Sequence, residues 1–249
     1  MKALKWTLLI VIVISGLLAG VFCVTWMQDE LALRKSYLVV SNFNHEIITK
    51  GDTGKTKLVA LTFDDGPDPQ YTPKVLEILK KYQIKATFFV VGENCADYPE
   101  IIRQEIKAGH EVENHTYTHP DLVKDRAVST EEEIVRTGQV IESITGRKPC
   151  YFRPPKRLFT SDTVKIAESS GYQLVLWTIG VEHRLSKTPE KMANRVIKAA
   201  KPGIIILAHD GRLNRTKTIE ALPLIIKGYQ KKGYRFVTLQ ELLAYAPPK

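Results

Sequence analysis

The stretch "LVALTFDDGPDP", residues 58–69, decides the fold. Leu58 to Phe63 form an apolar run without a charge, which reads as a strand buried on both faces. Asp64 and Asp65 stand side by side where the run stops, and a Gly-Pro turn follows. Two adjacent anions repel, so a metal ion or an arginine must hold at least one of them charged. Short runs rich in Val, Ile and Phe also read as buried strands at Ala86–Val91, His110–Asn114, Tyr151–Arg153, Gln173–Ile179, Ile204–Ala208 and Arg235–Thr238. Amphipathic helices lie between them. Thr72-Pro73 and Thr188-Pro189 each offer an N-cap followed by Pro at the first helical position. Ser129 with Glu132 has the form of a capping box, and Gly109, Gly146, Gly171 and Gly233 stand where helices should stop. Strands alternating with helices predict parallel βαβ units of one hand, closed as a barrel or opened as a doubly wound sheet. In a barrel the reactive residues belong at the C-terminal strand ends.

Polar residues do gather there. Asp64-Asp65 closes the first strand, His115 and His119 in "NHTYTH" follow the third, Arg153 in "YFRPP" closes the fourth, and His209-Asp210 in "IIILAHDG" closes the sixth. His115 and His119 are four apart, a spacing that sets both rings on one side of a helical turn. Two imidazoles and one carboxylate with open positions suit Zn²⁺ as a catalytic ion, and the same donors accept Fe²⁺, Co²⁺ or Ni²⁺. Asp65 is then the carboxylate ligand. Asp64 stays free to take a proton from metal-bound water, Arg153 pairs with Asp64 and orients it, and His209 is the candidate general acid. A base, an acid and a metal describe hydrolysis of an acyl group. No phosphate-binding Gly-rich loop or serine elbow competes.

The chain has 249 residues, a formal net charge of +9 and 44% apolar residues. Residues 1–5 carry Lys2 and Lys5, and Trp6 to Met27 is an uninterrupted span without a charge. At roughly 20 apolar residues to cross a bilayer, the span is long enough for a transmembrane anchor, with a cleaved signal as the alternative. Residues 28–57 read as a juxtamembrane linker and 58–249 as the main domain, expected outside the cell. The basic residues are scattered, which argues against nucleic acid; the excess positive charge suits an anionic wall matrix. Cys95 and Cys150 form no CxxC pair and read as two buried thiols, with one disulfide between them as the alternative. The chain is expected to be a monomer. His45 and His110 read as structural, Asp210 as shaping a turn, and Tyr151 and Phe152 as core. Trp177 fits either a sugar groove or the core.

"TFDDGP", "HTYTH", "RPP" and "ILAHDG", in this order and spacing, resemble the polysaccharide deacetylase family, the NodB-homology domain of carbohydrate esterase family 4. The resemblance spans Leu58 to Leu243. It implies a distorted (β/α)7 barrel, here preceded by a single N-terminal transmembrane helix. It also implies zinc, and removal of acetyl groups from N-acetylated sugars of peptidoglycan, chitin or related glycans. By the same resemblance Asp64 is the base, Asp65, His115 and His119 hold the metal, Arg153 tethers the base and His209 is the acid. Leu207 lines the acetyl pocket, and the backbone N–H of Lys156 is the oxyanion donor. Two motifs depart from the family. "RPPKR" puts Arg157 where Gly is usual, so a reshaped turn is expected. "WTIGVEHR" puts Gly180 and His183 where aspartates support the arginine, with Glu182 or His183 as substitutes. These departures keep two alternatives open, a catalytically degenerate glycan-binding module and an O-acetyl esterase of the xylan type.

Overall fold

The computed structural model describes residues 47–125 and 127–246. The apolar span 6–27 and His45 lie outside the described residues. Among those described, no helix is long and apolar enough to cross a membrane.

The strands are β1 (Leu58–Asp64), β2 (Thr87–Val90), β3 (Glu111–Asn114), β4 (Tyr151–Phe152), β5 (Gln173–Leu174), β6 (Ile179–Gly180), β7 (Ile205–His209) and β8 (Arg235–Val237). The helices are α1 (Thr72–Lys81), α2 (Gly92–Asp97), α3 (Pro99–Lys107), α4 (Thr130–Thr145), α5 (Ser161–Ser169), α6 (Pro189–Lys198), α7 (Thr216–Lys231) and α8 (Leu239–Leu243). Every strand pair is parallel, in the order β5-β4-β3-β2-β1-β7-β6. β8 pairs with Leu58–Ala60 of β1, ahead of the Thr62–Asp64 stretch that β2 takes. This curled parallel sheet with its helices fits the expected distorted (β/α)7 barrel.

β1 pairs with three strands, β2, β7 and β8, and all seven of its residues are buried. That is why its sequence is apolar without alternation. Phe63 stacks on Phe88 of β2 at 5.1 Å between centroids, and His110 meets Phe88 edge-on at 5.5 Å. His110 is structural as expected: it is buried, its Nδ1 accepts from the Ala86 N–H at 3.2 Å, and burial lowers its pKa to about 4.

The run Gln173–Ile179 is not one strand, as the sequence had indicated. It forms β5 and β6, which lie at opposite ends of the strand order. Between them the backbone changes partners. Val175 N–H donates to Phe152, Leu176 N–H to Ile48 and Thr178 N–H to Ile205. Ile48 bridges Val175 and Lys50 bridges Ile204, so residues assigned to the linker by sequence pair with residues that flank β5 and β7. Helix ends mostly follow the sequence signals. Thr188 and Ser129 cap α6 and α4, and all four expected stop glycines have positive φ. Thr72 is the exception. The helix starts at Thr72 itself, and its hydroxyl is taken by Asp210 at 2.6 Å. Cys95 and Cys150 are free thiols, one buried and one exposed.

Phe88 is fully buried in this core. Phe88→Ala is expected to cost about 3–5 kcal/mol, read as a lowered denaturation midpoint at unchanged m-value. A cost under about 1 kcal/mol would place the core elsewhere.

Candidate metal centre and active site

Parallel register builds the site. Asp64, the last residue of β1, lies opposite His209, the last residue of β7. β3 ends at Asn114, beside β2, and delivers His115 directly. β4 ends at Phe152 and delivers Arg153, whose N–H donates to the Asn114 carbonyl at 3.0 Å. Four strand ends therefore converge as the sequence indicated.

Arg153 is fully buried. Its Nη1 donates to Asp64 Oδ1 at 2.6 Å and to Thr62 Oγ1 at 2.9 Å. Nε and Nη2 donate to the carbonyls of Val175 and Leu176, at 3.3 and 3.1 Å. Those carbonyls lie in the break between β5 and β6, so the interrupted strand is what feeds the guanidinium. One face of it lies 3.9 Å from the Phe89 ring. Asp64 Oδ1 is thus occupied, while Oδ2 faces His115 Nε2 at 3.8 Å.

The loop after β3 carries both histidines. It is not a helical turn, as the spacing had indicated, but a tight turn in which Thr116 and His119 have φ of 69° and 59°. A carboxylate fixes it: Glu133 of α4 accepts from the Tyr117 N–H, the Thr118 N–H and the Thr118 hydroxyl at 2.7, 2.7 and 2.9 Å. His115 and His119 meet edge to face at 5.1 Å.

Asp65, His115 and His119 offer ligand atoms that all lie within 4.8 Å of one another. Asp65 Oδ1 is 3.7 Å from His115 Nε2 and 3.2 Å from His119 Nε2. With metal–ligand bonds of about 2.0–2.1 Å, tetrahedral ligands stand roughly 3.4 Å apart, close to these values. The tautomer of His115 supports the same fit. Burial pushes its pKa down, which keeps the ring neutral, and its Nδ1 lies 2.7 Å from the Arg153 carbonyl, which can only accept. The proton is therefore on Nδ1, and Nε2 presents a lone pair to two carboxylate oxygens. Lone pair facing lone pair is repulsive unless a cation sits between them. For Asp65, burial alone would raise the pKa. The contact with His119 and the nearby His115 and His209 outweigh it, and the carboxyl is held below the usual range. Its other oxygen, Oδ2, accepts from Arg215 Nη2 at 2.9 Å.

His209 Nδ1 lies 3.0 Å from Glu182 Oε2, and Glu182 Oε1 also accepts from the Thr218 hydroxyl at 2.7 Å. Burial of His209 opposes its charge, but the Glu182 hydrogen bond and charge outweigh this and raise its pKa. Glu182 therefore does not support Arg153, as the motif comparison had indicated; it holds the histidine, and exposed His183 supports neither. Asp210 shapes a turn: it is fully buried, and burial raises its pKa to about 7. A Cβ on Gly66 would lie 2.6 Å from both Asp210 oxygens, so Gly66 lets the turn after Asp65 nest on that carboxyl.

The sequence names three further residues for this region. Leu207 is buried on β7 opposite Thr62. Trp177 is partly exposed, with the Arg153 and Arg157 guanidinium carbons 5.8 and 5.6 Å from its rings. Lys156 is exposed in the 3-10 turn Pro155–Arg157. Arg157 takes φ 61° and Lys156 φ 56°, so Arg157 sits in the left-handed region that Gly adopts freely, at about 1–2 kcal/mol of strain. Sequence reasoning missed Thr62, Glu133 and Arg215. A threonine inside an apolar strand was a usable signal for Thr62; nothing local marks the other two.

Glu133→Ala removes the acceptor for two loop N–H groups. Metal affinity measured by equilibrium dialysis is expected to fall roughly 10- to 100-fold. An unchanged affinity would show that the histidine loop holds itself.

A family model described as polysaccharide deacetylase matches residues 51–175. A peptidoglycan-N-acetylglucosamine deacetylase of Bacillus cereus is 41% identical over 191 residues, covering 76% of this chain and 89% of that protein. A crystal structure of a peptidoglycan N-acetylglucosamine deacetylase bound to a naphthyl N-hydroxybenzamide superposes with a TM-score of 0.75 at 32% identity, covering 82% of this chain and 95% of the other. A pseudoenzyme of carbohydrate esterase family 4 from Bacillus anthracis superposes with a TM-score of 0.73 at 30% identity, covering 84% and 73%. With its four strand-end motifs joined in one cluster, this chain belongs to the polysaccharide deacetylase family.

Proposed function

We propose that this glycan deacetylase is a metal-dependent hydrolase that removes N-acetyl groups from cell-wall sugars, with peptidoglycan as the substrate. The observation that carries the reading is the Arg153–Asp64 pair at 2.6 Å beside the Asp65, His115 and His119 cluster, with His209 across from Asp64 in register. The B. cereus relative points to peptidoglycan, and the excess positive charge suits an anionic wall.

Asp65, His115 and His119 would hold the ion, with Zn²⁺ the expected metal and Co²⁺, Ni²⁺ or Fe²⁺ compatible with the same donors. When bound, such an ion supplies a Lewis acid for the acetyl carbonyl and lowers the pKa of a water to about 7. The chain supplies the rest. Arg153 occupies Asp64 Oδ1 and fixes the carboxylate plane, which leaves Oδ2 to accept the proton of the attacking water. That water oxygen bonds to the acetyl carbon. His209 then gives its proton to the departing amide nitrogen as the C–N bond breaks, releasing acetate and a free amine. Lys156 N–H is the proposed oxyanion donor, Leu207 the wall of the acetyl pocket and Trp177 a sugar contact. The span 6–27 is proposed to anchor the protein in the membrane as a monomer, with the domain outside the cell.

A second reading rests on Arg157, whose strained backbone replaces the family's glycine, and on the likeness to a pseudoenzyme. On that reading the chain binds glycan and metal without turnover.

Acetate release from peptidoglycan and from N-acetylglucosamine oligomers, with added Zn²⁺, separates the two. The first reading predicts release that Asp64→Asn and His115→Ala each lower at least 100-fold. Metal-loaded protein that retains glycan but releases nothing contradicts it. The acid role adds a pH prediction. His209 acts protonated, and its raised pKa carries the alkaline limb of kcat/KM above the ordinary histidine value of about 6.5. Glu182→Gln removes the charge that favours the imidazolium, so this limb moves to lower pH. A limb that does not move means His209 is not the acid.

A further inference from the structure

Asp65 is restrained on every side. Its backbone has φ 78°, unusual for a residue with a side chain. Its carbonyl oxygen accepts from Asn94 Nδ2 at 3.0 Å. The loop after β7 wraps over it: a Cβ on Gly211 would fall 2.2 Å from that same carbonyl oxygen, so only glycine passes there. This loop ends at Arg215, the residue before α7. Arg215 is 7% exposed, and its Nε donates to the Gly211 carbonyl at 2.7 Å. Its guanidinium is thus pinned by its own loop before it reaches Asp65.

The two oxygens of Asp65 have different neighbours. Oδ1 faces the Nε2 atoms of His119 and His115, and Oδ2 faces Arg215 Nη2 at 2.9 Å. We infer that Arg215 is a positioning residue that occupies Oδ2, so that Asp65 offers the ion one oxygen and not two. The inference rests on the reading that Asp65, His115 and His119 hold the catalytic ion. A carboxylate with both oxygens free can chelate a divalent ion, and the second oxygen then fills a position that the water and the acetyl oxygen need. A guanidinium on Oδ2 opposes this, because chelation would strip a buried charge-assisted hydrogen bond from Arg215. The same contact fixes which carboxylate serves which task. Arg153 takes one oxygen of Asp64 and Arg215 takes one of Asp65, so each aspartate turns a single free oxygen inward.

The bland account is that Arg215 only ties the loop to Asp65, and the test must separate the two. The purified full chain is stripped with a chelator and reloaded with Co²⁺, whose visible absorption is intense at low coordination number and weak at six. Arg215→Met removes the donor and keeps a buried stem of similar length. Arg215→Lys keeps a charged donor for Asp65 Oδ2 but loses the fixed guanidinium fork that joins it to the Gly211 carbonyl. For Arg215→Met the expected result is a several-fold weaker Co²⁺ band, with kcat down roughly 10- to 100-fold and KM little changed. Arg215→Lys is expected to keep the wild-type band and kcat within about threefold. A wild-type band in Arg215→Met overturns the inference, and so does a Lys variant that loses the band as the Met variant does. If the Met variant does not fold, the Lys variant decides: a retained band supports the role and a lost band refutes it. Wild-type protein that binds no Co²⁺ refutes the metal reading itself, together with the inference built on it.

Discussion

A positive charge buried in the barrel organises this molecule. Arg153 has no exposed surface, and a guanidinium out of water must have its donors met and its charge balanced. Each part of the surrounding fold answers one of those demands. Asp64 balances the charge, Thr62 adds a hydroxyl, and the strand after α5 breaks so that two carbonyls can turn toward the guanidinium. Removing one partner of such a pair costs about 3–5 kcal/mol, so Asp64 is locked in place by folding itself. The price of that rigidity is a sheet that loses its regular ladder at Val175–Thr178.

From this anchor the rest of the site follows by register. β1 sets Asp64 against His209 of β7, and the Arg153 carbonyl fixes the tautomer of His115. Arg153 therefore acts at both ends, orienting the proposed base with its side chain and one proposed metal ligand with its backbone. Beyond it a second tier of charged groups holds what the first tier presents. Glu133 holds the histidine loop, Glu182 holds His209 and Arg215 holds Asp65. None of these three comes from the strand end that carries the residue it supports.

The legibility of the sequence divides along that line. Strand ends were readable because a buried parallel strand is a continuous apolar run, and a charge where it stops has few structural uses. Asp64, Asp65, His115, His119, Arg153 and His209 all fall there, and the structure gathers them. The supports were not readable. Glu133 sits in the first turn of α4, where a glutamate is ordinary, and Arg215 sits in a basic loop. The break in Gln173–Ile179 was hidden for a related reason. The run carries no charge and no turn residue, and the carbonyls exposed where it breaks are met by Arg153, distant in sequence. The histidine spacing pointed to two rings that the structure does bring together, but by a different local geometry, since Thr116 and His119 have positive φ that no right-handed helix contains.

The central claim is that the Asp65, His115 and His119 cluster holds a metal on which glycan deacetylation depends. The most direct measurement is acetate release from peptidoglycan by protein stripped with a chelator, titrated back with Zn²⁺ or Co²⁺. The account predicts no release from the stripped protein and recovery that saturates at one ion per chain. Release that survives chelation, or that never returns when one ion is bound, would contradict it.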